Sequence, residues 1–175
     1  MSFEQRVASV HPALLTTLAI AGSLFFSVFT SKVEDPFAYR AAVAVVFFAF
    51  VALGVLWLWS IYVLGSSQFG AAPKWSVAYL LTPFLLAAGK FLLRDEASGE
   101  GIAGMLLRFA GGGVFIGCVW KAAEVFEIAL EGKAVSVGKI GRTAALLFFS
   151  VVGAWTLRER ILTLVARSPP EVQEA

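Results

Sequence analysis

The chain is poor in the residues on which polar active sites are built. Its 175 residues include one histidine, one cysteine and two methionines. A lone cysteine excludes an internal disulfide and any cysteine-rich metal site. Cys118 sits among apolar residues and reads as a buried, inert thiol. A lone histidine, His11, excludes a haem held by two histidines, and no Ser-His-Asp set is apparent. The sequence also lacks an HExxH pair, a Walker loop and a dinucleotide fingerprint. The expectation is therefore a protein that is not an enzyme, with no cofactor and no metal. Charge is scarce too: 15% of residues are charged, where soluble domains carry about a quarter. The net charge of +2 is small and the basic residues are scattered, which argues against a nucleic-acid partner.

Apolar residues take up what is missing. They make up 59% of the chain, and the mean hydropathy is +0.82. A helix that crosses a bilayer core of roughly 30 Å needs about 20 mostly apolar residues. Spans are expected at about 12–31, 41–65, 75–94, 102–123 with an extension to 131, and 140–158 with a surface extension to 167. Residues 168–175 read as a flexible tail. The fold class predicted is all-α, a multi-pass transmembrane helix bundle of five spans with no soluble domain. The first run is read as a retained helix, because no cleavage pattern follows it. Asp35-Pro36 is a start signal for the second helix, since aspartate caps free N–H groups and proline suits the first turn. Trp57, Trp59 and Tyr62 face Trp75 and Tyr79 across the turn that follows, and such rings favour the headgroup level.

The stretch GGGVFIGCVWKAAEVFEIAL, residues 111–130, begins like a span and ends like a helix made for water. At about 100° per residue, Ala103, Ala110, Gly113, Gly117, Lys121, Glu124, Glu127 and Glu131 share one third of the circumference. Phe115, Val119, Ala122, Phe126 and Ala129 lie opposite. One continuous helix is expected, with two environments. Gly113 and Gly117 form a small-x-x-x-small pair that lets a second helix approach closely, or else a point of bending. Ala19, Ser23 and Ser27 repeat the small-residue spacing in the first span and read as bundle packing.

Ionisable groups near a membrane interior are candidates for function. Lys90 is close enough to the end of its span to snorkel, and Arg108 lies deeper. Lys121, Glu124, Glu127 and Glu131 read either as a solvated face or, in an oligomer, as a vestibule that attracts cations.

Five spans put the termini on opposite sides. Arg6, Lys74, Lys121, Lys133, Lys139 and Arg142 then share one side. Lys32, Arg40, Lys90, Arg94, Arg108, Arg158, Arg160 and Arg167 share the other, which the positive-inside rule favours as cytoplasmic. The expected location is a bacterial inner membrane with a cytoplasmic C-terminus. The expected partners are the lipid bilayer and other membrane helices in a homo- or hetero-oligomer. The function read from this is an accessory or assembly subunit of a membrane complex. The alternative is a small oligomeric ion channel or transporter component.

Overall fold

A computed structural model of the chain describes residues 2–30, 35–70, 73–92 and 101–167. These residues are all-α, with no strand among them. The helices are α1 (Phe3–Ala8), α2 (Pro12–Thr30), α3 (Pro36–Ser67), α4 (Ser76–Leu92), α5 (Gly101–Glu131), α6 (Val137–Phe148), α7 (Ser150–Thr156) and α8 (Arg158–Arg167). Among the described residues one helix, Phe37–Ser67, is long and apolar enough to cross a membrane. The predicted tail 168–175 lies outside the described residues.

Local chemistry sets several boundaries. Asp35 caps α3, its Oδ1 accepting the Phe37 N–H at 2.9 Å, with proline in the first turn. α1 starts with a capping box. The Ser2 side chain accepts from Gln5 N–H, and Gln5 Oε1 accepts from Ser2 N–H at 2.8 Å. Pro83 lies inside α4 without ending it.

Side-chain contacts fix the directions of the long helices. A Cβ built on Gly65 of α3 would lie 2.6 Å from Val125 Cγ1, so the late turns of α3 and α5 run side by side. Tyr79 at the start of α4 donates to the Cys118 carbonyl of α5 at 2.5 Å, and Gly89 lies against Arg108 and Gly104. α4 is therefore antiparallel to both of its neighbours. The row Gly104, Gly111 and Cys118, spaced by seven, turns toward α4.

The stretch 140–158 is three helices rather than the single span expected. α6 stops at Phe148, where Phe149 takes φ −87° and ψ 65°. α7 then leads the chain back, and α8 lies against the last turns of α5. A Cβ on Gly153 would fall 2.1 Å from the Leu146 carbonyl oxygen. Only glycine allows α7 to lie this close to the last turn of α6.

The continuous apolar core lies toward one end of the bundle. It joins α1, Val55–Leu64 of α3, Tyr79, Cys118–Ala129 of α5, and the inner faces of α6, α7 and α8. We call this the closed half. Trp57, Tyr62 and Tyr79 belong to it at 5% exposure or less, so these rings pack inside the chain, while Trp75 of the same aromatic group is 38% exposed. Tyr62 and Tyr79 stack at 5.3 Å between centroids, and Tyr62 Oη accepts the Trp75 N–H at 3.3 Å. In the other, open half, Val45, Leu53, Leu80, Phe84, Leu106 and Phe109 are exposed.

Candidate functional site

α5 is one unbroken helix through both halves, and its charged residues meet different fates. Glu127, read in the sequence as part of a wet face, has a side chain with no solvent exposure. Its carboxylate is bound by three side chains from two helices. Arg160 of α8 forms a two-pronged pair with it, Nη1 to Oε1 and Nη2 to Oε2, both at 2.8 Å. Thr143 of α6 donates to Oε1 at 2.5 Å, and Lys139 Nζ stands 3.1 Å from Oε2. A carboxylate offers about four lone-pair sites, and all are used. A parallel guanidinium–carboxylate pair is among the strongest and most directional of hydrogen-bonded contacts. Arg160 also lies over the Phe126 ring, 5.1 Å from its centroid, so its carbon and nitrogen plane is packed as well as paired.

The electrostatics favour the ionised form. Burial pushes the Glu127 carboxyl up. The hydrogen bonds from Arg160, Thr143 and Lys139, with the Arg160 charge, outweigh burial and bring it down to about 2. Lys139 also pairs with Glu131, so signs alternate along Arg160, Glu127, Lys139 and Glu131. This chain of charges sums to zero and offers no surplus negative field. Next to it, Arg167 Nη1 donates to the Leu130 carbonyl at 3.0 Å, binding the end of α8 to the end of α5. Lys121 and Glu124 form a separate, half-exposed pair at 2.6 Å.

The remaining candidates are dispersed. Arg108 is exposed in the open half, its stem alongside Gly89. Lys90 lies on α4, and its side chain is outside the described ones. Ala19, Ser23 and Ser27 lie on α2, and their side chains are likewise outside the described set. Gly113 was expected to face a packed helix, yet a Cβ there would meet nothing within 4 Å. Gly117 meets only the Trp75 ring, at 3.3 Å. The tight contact is at Gly111, where a Cβ would lie 3.0 Å from Leu86. The face of α5 was misassigned because small residues occur on both sides of it. Val119, Ala122, Phe126 and Ala129, expected to look outward, are buried.

Sequence reasoning missed the roles of Thr143, Lys139 and Arg160. Their partner on α5 lies 16 positions away for Thr143 and 33 for Arg160, beyond any helical periodicity. Set against known proteins, the chain matches no protein-family model, no curated protein and no solved structure.

Proposed function

We propose that the chain is a multi-pass membrane helix bundle acting as a non-catalytic accessory or assembly subunit of a membrane complex. In this reading α2, α3, α4 and the 102–123 part of α5 cross the bilayer. The closed half, with Glu127, stands at and beyond one surface. The reading is supported by the length of α3 and by the small share of its most apolar window, 17%, that the chain itself buries. Apolar surface left bare over so much of a helix suits lipid and neighbouring helices better than water.

One observation favours assembly over ion conduction. The carboxylate best placed to line a path is consumed by contacts within its own chain. What stays open is a groove of about 530 Å³ between α3 and α4, lined by Phe48, Ala52, Leu56, Leu80, Pro83 and Phe84 among others. At one end Trp59 Nε1 donates to Ser76 Oγ at 3.1 Å, so the polar atoms there are already paired. A transmembrane helix of a partner subunit fits this apolar, sideways-facing groove, since helices in lipid associate by packing.

The test pairs native size with flux. Ala52→Phe fills the groove, and the complex extracted in mild detergent should then run smaller than wild type while the purified chain keeps its helix content. An unchanged native size argues against assembly through this groove. Liposomes holding the purified wild-type chain should pass no cations. Cation flux that falls in Glu124→Gln would instead select the channel reading.

A further inference from the structure

We infer, on the membrane reading above, that α6–α8 do not cross the bilayer but form a hairpin that enters and leaves on the side where α5 ends. α1 and the end of α8 then lie on one side, and the crossing helices number four.

Length is the first reason. α6 has 12 residues and reaches about 18 Å, well short of a hydrocarbon core of roughly 30 Å. Position is the second. The Phe148 ring at the tip of α6 lies 5.8 Å from Phe115 of α5, while Lys139 and Thr143 near its start meet Glu127. Phe115 lies about 18 Å along α5 from Glu127, at 1.5 Å per residue. α7 then brings the chain back, because Arg160 near the start of α8 already reaches the same carboxylate, and α8 carries on from there to Leu130, which Arg167 reaches. Both legs of the hairpin meet at one end of α5, and Ala8 to Val10 lie against Arg158, Ile161 and Leu162 at that end.

Chemistry is graded along the hairpin in the same sense. Its mouth holds the paired charges. Its tip exposes Phe148, Phe149 and Val152, each close to half exposed or more. An apolar tip below a charged mouth suits a segment that dips into lipid and comes back. Irregular backbone at such depth is tolerated where protein buries it. Here Leu147, Gly153 and Ala154 are buried beside the bend.

The hairpin also redistributes charge. Arg158, Arg160 and Arg167 move to the side of Arg6, Lys121, Lys133 and Lys139. That side now holds the larger share of lysine and arginine, so the positive-inside rule makes it cytoplasmic, carrying both α1 and α8.

The experiment uses single cysteines in a full-length Cys118→Ala chain expressed in bacterial cells. Arg6→Cys, Asp35→Cys, Lys133→Cys and Thr163→Cys are probed with a membrane-impermeant maleimide before and after permeabilisation. Positions 6, 133 and 163 should label only after permeabilisation, and position 35 in intact cells. The opposite pattern, with 6, 133 and 163 still together, keeps the hairpin and reverses only its orientation. Position 163 labelling alongside position 35 overturns the hairpin while leaving the membrane reading intact. Release of the chain by alkaline carbonate removes the membrane reading and the hairpin together.

Discussion

Val55–Leu64 of α3 and Cys118–Ala129 of α5 are enclosed by α1, α6, α7 and α8. A few turns earlier the same two helices carry Val45, Leu53, Leu106 and Phe109 bare. Composition does not separate these halves, because both are dominated by apolar residues. What separates them is what the rest of the chain supplies. The closed half receives four short helices and a saturated carboxylate, and so can exclude solvent unaided. Among the described residues the open half receives α2 and α4, and much of its outer apolar surface stays exposed. One helix can thus belong to a self-sufficient core at one end and to an unfinished surface at the other.

The largest expected effect that tests this comparison comes from Arg160→Ala. It leaves Glu127 buried without its two-pronged partner, and since Lys139 and Thr143 still hold the carboxylate and Arg160 is about one-third exposed, the loss should be about 2–3 kcal/mol. Arg108→Ala in the open half should shift stability by no more than about 0.5 kcal/mol. Thermal unfolding in detergent compares the two, and equal losses would erase the distinction between halves. Arg160→Ala combined with Glu127→Leu should recover much of the loss, since no stranded charge remains. The same ion pair sets a pH dependence. Glu127 sits at about 2 in the fold against an ordinary 4.5, so its contribution is complete above about 4.5 and is lost as pH falls toward 2. Melting curves between those values should separate wild type from Glu127→Gln, which has no carboxylate to titrate.

Next in size is a pair of glycines. Gly153→Ala sets a methyl against the Leu146 carbonyl, and overpacking of this kind costs about 1–3 kcal/mol. Gly113→Ala meets nothing and should leave stability unchanged or raise it by up to about 1 kcal/mol through helix propensity. A loss at position 113 in the isolated chain would show a contact the open half does not have. The smallest effect is Glu124→Gln. Its pair with Lys121 is half exposed, and such pairs are worth about 0.3–0.5 kcal/mol on a helix. A loss of several kcal/mol there would place this pair in the core network as well.

The legible and the illegible parts of this fold divide by distance along the chain. The all-α class, the cap at Asp35 and the continuity of α5 depend on neighbours within a few residues, and the sequence carries them openly. The Ser2–Gln5 box starting α1 was equally local, a serine followed three residues later by glutamine. The fate of 140–158 was not local. Apolar content measures how many residues could cross, not whether the chain turns back, and the bend depends on Gly153 meeting a carbonyl seven residues earlier. Glu127 resembled its solvated neighbours because its wheel position is theirs. Its burial depends on α6 and α8 arriving from later in the chain.

Direction of synthesis gives that last dependence a sequel. Glu127 is translated 33 residues ahead of Arg160. Until α8 exists the carboxylate lacks its strongest partner, and enclosing it would cost more than leaving it in water. The turns of α5 around Phe126 are therefore expected to stay hydrated until α8 arrives. Closure is then expected as a late step, made when the newest helix docks on one of the older ones. A growing chain halted before Arg158 would hold the long helices of the open half but not the core that makes the other half complete.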